Sequence, residues 1–227
     1  MPYSIMLDAG HGGARDPGAV YNGRREKDDT LKLALEIGEI LQNQGIDVEY
    51  TRTTDVYETP YEKAMEANEA DVDYFVSIHR NSFPTDNQVS GVESLVYDLS
   101  GIKYEMAQNI NAQLETIGFV NLGVKARPNL VVLKKTEMPA VLVEVGFINS
   151  DTDNQLFDEN FEAIAQEPGM VPVPSNLDSP IELVQAAFGP GNILPVYTDD
   201  GAGIVPFQLT ESYAQAVEYM AQLYSKG

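Results

Sequence analysis

The chain holds only two histidines in 227 residues, and each closes an apolar run: His11 in LDAGHGG and His79 in SIHRNS. An imidazole can ligate a metal or move a proton near neutral pH. Two glutamates stand in similarly pointed places. Glu144 interrupts AVLVEVGF, where an apolar side chain is expected, and a buried charge is costly unless it is paired or bound to a metal. Glu26 lies in RREKDD, after a long turn-rich loop and just before a helix. Two histidines and a carboxylate from separate segments are a usual zinc set that leaves a fourth position for water. A further carboxylate nearby would serve as general base. Each residue also has a plainer reading. A lone histidine is often an ordinary surface or core residue, and a glutamate among charged neighbours is usually solvated.

Other chemistries lack their residues. Cysteine is absent, which removes disulfides, thiolate metal sites and a cysteine nucleophile. His-Gly-Gly would suit a lipase oxyanion loop, but there is no Gly-x-Ser-x-Gly elbow. There is also no phosphate-binding Gly-x-x-x-x-Gly-Lys loop and no His-Glu-x-x-His helix.

The elements that must position these groups follow from the hydrophobic pattern. A strand from Tyr3 to Asp8 runs into the glycine turn, and the loop continues through Asp16-Pro17-Gly18 to Asn22-Gly23. A helix is predicted from Asp29 to Gln44, with Leu31, Ala34, Leu35, Gly38 and Leu41 at helical spacing and Leu33, Ile37 and Ile40 widening the stripe. Gly45 stops it, and Ile46–Thr51 is a strand. Thr59 and Pro60 cap and open a helix to Ala70. Strands are predicted at Tyr74–Ile78, ending at His79, and at Val92–Tyr97, Leu130–Leu133 and Ala140–Val145, with a helix over Ile102–Ile117. Strands alternating with helices imply an α/β fold: a mixed, mostly parallel sheet flanked by helices on both faces. Ligands of such sheets bind beyond the carboxyl ends of the strands, where His11, His79 and Glu144 fall.

From residue 167 to 209 prolines and glycines crowd the sequence. This stretch reads as an insertion with one short helix, Ser179–Phe188, placed before a C-terminal helix at Glu211–Tyr224. The expected organisation is a catalytic domain from 1–166 and 210–227, interrupted by 167–209.

Hydrophobic residues make up 43% of the chain, enough for a sizeable core, and no apolar run is long enough to span a bilayer. Lys and Arg number 14 against 35 Asp and Glu, a net charge of −21, which opposes binding to nucleic acid, anionic membranes or polyanionic wall polymers. The opening SIML reads as a strand and not as a leader. The expectation is therefore a cytoplasmic protein, or an exported one read without its leader.

With these residues assembled, the chain resembles the zinc-dependent N-acetylmuramoyl-L-alanine amidases, a family of bacterial cell-wall amidases and phage endolysins. The likeness covers residues 3–165 and 211–224. It is carried by IMLDAGHGG, DPGAV, Glu26-Lys27, VEYTRTTD, Ala67-Asn68, SIHRNS, GVES and MPAVLVEVGFINS in order. The resemblance implies one zinc ion held by His11, Glu26 and His79, with Glu144 as the catalytic glutamate. It further implies hydrolysis of the amide between N-acetylmuramic acid and L-alanine in peptidoglycan, in a monomeric catalytic domain acting at the cell wall outside the cell. Departures are Lys63, where an arginine is usual, and Arg80 and Ser82, where small residues are usual. Asn81 and Arg80 are therefore candidate substrate contacts; Arg80 would alter stem-peptide preference or simply cover surface. Two other readings stay open: an inactive wall-binding module of the same fold, and a zinc peptidase acting on free wall peptides. The insertion would plug, rim or extend the groove, or form a lobe away from the zinc.

Overall fold

A computed structural model describes residues 3–162. The insertion expected at 167–209 and the helix expected at Glu211–Tyr224 lie outside the described residues. The described residues form eight strands and five α-helices: β1 (Ser4–Ala9), β2 (Val20–Tyr21), β3 (Arg24–Arg25), α1 (Glu26–Asn43), β4 (Asp47–Tyr50), α2 (Pro60–Ala70), β5 (Tyr74–Asn81), β6 (Val92–Val96), α3 (Gly101–Thr116), β7 (Asn121–Ala126), α4 (Val131–Lys135), β8 (Ala140–Phe147) and α5 (Asp151–Phe157). A π-helical turn, Asp158–Glu162, follows α5. Six strands form one sheet in the order β4-β1-β5-β8-β6-β7. Only the β6–β8 pairing is antiparallel among them. The mixed, mostly parallel sheet expected from the sequence is therefore present.

Strand alternation sorts the side chains onto two faces. Ile5, Leu7 and Ala9 of β1, Val76 and Ile78 of β5, and Val141, Val143 and Val145 of β8 meet α1, α3 and the Phe157–Phe161 segment in one core. Met6, Phe75, Leu95, Ala140 and Leu142 face the other way, against Ala67 of α2 and Val132 and Leu133 of α4. In α1 the deepest stripe is Leu33, Ala34, Ile37, Ile40 and Leu41, with Leu31 and Leu35 only half-buried at its margins. Full burial of each large apolar side chain contributes about 1.5–3 kcal/mol.

Three expectations need correction. The segment predicted as a strand at Leu130–Leu133 is helical from Val131. Its run of branched residues is too short for periodicity to separate strand from helix. The outer strand β7 lies instead at Asn121–Ala126, a half-buried edge whose alternation is weak and which contains Gly123. Helix α1 starts at Glu26, three residues before the predicted start at Asp29, because its first turn is charged rather than apolar. Acidic residues at Glu26, Asp28 and Asp29 suit the positive end of the helix dipole. The turn-rich loop also folds part of itself into the β2–β3 hairpin, closed by Asn22 and Gly23 at positive φ. Helix α2 opens as expected, with a full capping box between Thr59 and Glu62 and Pro60 in the first turn.

Beneath the carboxyl end of β1, Asp8 is buried and accepts hydrogen bonds from Lys63 Nζ (2.7 Å), Thr51 Oγ1 (2.8 Å) and Ser77 Oγ (2.5 Å). Burial opposes its ionisation, but Lys63, His79 and Ser77 prevail and hold its pKa below the ordinary value. Lys63 also donates to the Ala9 carbonyl (2.7 Å), so the ammonium fixes the strand just before the glycine turn. Removing one partner of a buried pair leaves the other charge uncompensated. Lys63→Met is accordingly expected to destabilise the protein by about 3–5 kcal/mol, measured by urea denaturation.

Candidate metal centre

His11, Glu26 and His79 arrive from three segments. β1 ends and the chain turns sharply through His11, which takes a left-handed φ of 59°. Glu26 is the first residue of α1. His79 sits near the end of β5 and is the register partner of Glu144 on β8, which in turn faces Glu93 of β6. Asp8, Ser77, His79, Glu144 and Glu93 thus line one face of adjacent strands, the face that also packs α2 and α4.

Glu26 is the hub. Its Oε1 lies 3.1 Å from His11 Nε2 and 2.9 Å from His79 Nδ1. The Arg80 N–H donates to the same oxygen (3.1 Å), and the Ala19 N–H donates to Oε2 (2.8 Å). The two imidazoles meet edge to face, with centroids 4.9 Å apart. Asp16 accepts from Nδ1 of His11 at 2.7 Å, which orients the ring and turns Nε2 toward Glu26. Glycine is required where these groups crowd. A Cβ on Gly10 would lie 2.5 Å from the His79 ring, and one on Gly18 would lie 2.6 Å from Glu26 Oε2.

One ligand atom from each of His11, Glu26 and His79 lies within 4.8 Å of the others. Tetrahedral zinc with bonds of about 2.0–2.1 Å sets its ligand atoms about 3.3 Å apart, so the trio fits such an ion with little adjustment. A carboxylate bonded to imidazole on the other ring nitrogen, as Asp16 is to His11, is the usual support for a metal-ligating histidine.

The electrostatics point the same way. Burial disfavours the charged form of Glu26, yet the two imidazoles outweigh it and drive its pKa far below the ordinary value. Burial also disfavours protonated His11, but Glu26 and Asp16 raise its pKa to about 9, and Glu26 and Glu144 raise that of His79. Without a cation the site therefore collects protons, which a divalent ion would displace. Glu144 is different. Burial foremost, with Glu26 and Glu93 adding, pushes its pKa up to about 7 against the pull of His79 and His11. Its Oε2 is buried without a hydrogen-bond partner among the described residues. A cavity of about 260 Å³ opens beside the histidines, walled by Glu58 and Lys63 on one side and Asn129, Leu130 and Val131 on the other.

Arg80 corrects an expectation. It does not cover surface: it is 1% exposed and lies on the opposite face of β5 from His79, where Nη1 donates to Asp29 (2.7 Å) and Nη2 to Asn154 (2.7 Å). Burial lowers its pKa to about 10, leaving it charged at neutral pH. Asn81 ends β5, with its amide donating to Glu93 (3.0 Å) and its carbonyl accepting from the Ser82 N–H. The sequence reading gave no role to Asp16 or Glu93. Both lay in segments already singled out, DPGAV and GVES, but only the folded positions of His11 and Asn81 reveal what they hold.

A mixed α/β sheet thus brings two imidazoles at its strand ends against a buried carboxylate at a helix start, with Glu144 alongside, an arrangement that could hold a cation. The chain belongs to the N-acetylmuramoyl-L-alanine amidase family, whose sequence model matches residues 5–167. It is 36% identical over 162 residues to the sporulation-specific N-acetylmuramoyl-L-alanine amidase of Bacillus subtilis, covering 69% of this chain and 61% of that protein. It is 32% identical to the probable cell wall amidase LytH of Staphylococcus aureus over 74% of this chain and 56% of that protein. The chain thus spans about three-fifths of the length of these curated relatives. Among solved structures, an N-acetylmuramoyl-L-alanine amidase from Clostridium difficile 630 superposes with a TM-score of 0.65 at 31% identity, covering 73% of this chain and 94% of that one. The catalytic domain of CwlV from Paenibacillus polymyxa gives 0.65 at 27% identity, over 82% of this chain and 93% of that one.

The charge pattern has a pH signature in the metal-free protein. His11 has a folded pKa of about 9 against an ordinary 6.5. Its stabilisation is therefore complete below pH 6.5 and lost as pH rises through about 9. Glu26, depressed from 4.5, contributes fully above that value and loses its contribution progressively as pH falls below it. Chelator-treated protein should show a melting temperature that falls between pH 6.5 and 9, a fall that added divalent cation suppresses. Thermal melts across that window check this, and a flat profile counts against the arrangement.

Proposed function

We propose that this chain hydrolyses the amide joining the lactyl group of N-acetylmuramic acid to L-alanine in peptidoglycan, with one zinc ion held by His11, Glu26 and His79. The observation that carries the reading is the convergence of those three ligand atoms within 4.8 Å, with the unpartnered carboxylate oxygen of Glu144 on the neighbouring strand. When bound, zinc would supply Lewis acidity to the scissile carbonyl and to a water at the open position.

The chain's own residues do the rest. Glu144, with a pKa near 7, accepts a proton from the attacking water and returns it to the leaving amine at little cost in either direction. Asp16 holds His11 in one tautomer, and Gly10 and Gly18 let the rings and carboxylate approach. The cavity between α2 and α4 takes the acyl or peptide flank of the substrate, and Asn81, fixed by Glu93, contributes a polar contact at its edge. A binding module without chemistry would have no use for a buried, unpaired Glu144. The action is proposed to take place at the cell wall, by a catalytic unit that works as a monomer. Among the described residues no helix is long and apolar enough to cross a membrane.

Bound zinc and dye release from labelled cell wall test the reading together. Glu144→Gln is expected to retain zinc and lose turnover by about 10²–10⁴-fold, the usual weight of a general base. His79→Ala is expected to lose both. New amino-terminal L-alanine with intact glycan identifies the bond cleaved; cleavage only of glycan-free peptides would assign a peptidase instead. A Glu144→Gln variant with full activity would sink the mechanism.

A further inference from the structure

Arg80 is a fully buried cation, and its bonds lead back to the metal-site candidates. Strand alternation sends His79 toward α2 and Arg80 toward α1 and α5. The Arg80 backbone N–H donates to Glu26 Oε1 (3.1 Å), and its side chain donates to Asp29 one helical turn further along α1 (2.7 Å). A single residue therefore grips the first turn of α1 at two points, while its neighbour in sequence is the imidazole that faces Glu26. The guanidinium is itself fixed by Asn154 (2.7 Å) and by the Phe157 ring, 4.2 Å from its centre. Arg24 completes the clamp: it donates to Asp29 (2.7 Å) and to Asp158 (2.6 Å) and lies 5.1 Å from the same ring.

Such a cluster is poorly explained as a source of stability. Buried ion pairs are often matched or bettered by apolar side chains of similar volume, and Arg80 Nε has no hydrogen-bond partner among the described residues. What directed bonds supply, and apolar packing does not, is a fixed distance between α1 and β5. That distance sets Glu26 against His79.

Resting on the zinc reading above, we propose that Arg80 is a positioning residue that fixes Glu26 relative to His79 and so sets the metal affinity of the site. Loss of a group that orients metal ligands typically weakens binding by about 10–100-fold. The test uses Arg80→Met, which preserves volume, and Arg80→Lys, which preserves charge but cannot bridge Asp29 and Asn154 together. Zinc dissociation constants come from chelator competition, folding from circular dichroism, and kcat and KM from wall hydrolysis. Arg80→Met is expected to fold, to bind zinc about 10–100-fold more weakly, and to lose kcat at zinc concentrations that saturate the wild type, with KM unchanged. Arg80→Lys should fall between it and the wild type. A folded Arg80→Met with wild-type zinc affinity and kcat overturns the proposal. Should Arg80→Met fail to fold, Asp29→Asn reads the same constant, and an unchanged value there overturns it equally. Wild-type protein that binds no zinc defeats the proposed function as well, whereas tight binding by wild type and variant alike defeats only the role of Arg80.

Discussion

A buried carboxylate that must stay ionised governs the arrangement of this molecule. Glu26 lies at the start of α1 with 4% of its surface exposed, where an unpaired charge would cost several kcal/mol. Everything around it lowers that cost. The helix terminus contributes positive potential, the Ala19 and Arg80 amides donate to its oxygens, and His11 and His79 point ring nitrogens at Oε1. Protons on the imidazoles neutralise the trio in the metal-free state. A divalent cation would offset the same carboxylate in their place, with both rings then neutral ligands. The charge of Glu26 would therefore suit a cation between the rings.

The second constraint is the parity of strands. Because neighbours on a strand face opposite ways, β5 can give His79 to one layer and Arg80 to the other within one step of chain. β8 places Glu144 beside His79 while Val143 and Val145 go into the core. The site is thus a polar row on the face covered lightly by α2 and α4. The opposite face carries the bulk of the apolar packing and the bonds that hold the row in register. The antiparallel insertion of β6 next to β8 brings Glu93 opposite Glu144, which adds to the rise in the Glu144 pKa.

The parts legible in the sequence were those announced by contrast. His11 and His79 are rare residues at strand ends, Glu144 is a charge inside an apolar run, and Thr59-Pro60 is a local capping signal that needs no tertiary help. What stayed hidden depends on contacts distant in sequence. Arg80 looked like an exposed departure in a loop-like motif because nothing local shows that Asp29, Asn154 and Phe157 converge on it. The helix at Val131–Lys135 has one turn and a branched composition, so only its packing through Val132 and Leu133 decides its form. The edge strand β7 pairs on one side and alternates weakly, leaving little signature. Glu26 was assigned through the family likeness; among charged neighbours its own pattern says surface.

The excess of negative charge takes on a different meaning once the cations are located. Lys27, Arg52, Lys63 and Arg80 are all buried, and each ties a segment of the site. Lys27 pairs with Asp55, which also accepts the Gly13 N–H. Arg52 donates to the carbonyls of Ala9, Gly10 and Lys27, joining the glycine turn to α1. Lys63 holds Asp8 and Ala9, and Arg80 holds α1 to β5. The described residues bury the acids Asp8, Glu26, Glu93 and Asp153 as well, so these four cations offset interior carboxylates and the negative excess stays outside the core. Anionic polymers are therefore repelled over roughly a Debye length, about 8 Å at physiological salt. The positive side chains thus serve the architecture beneath the cavity and not its surface.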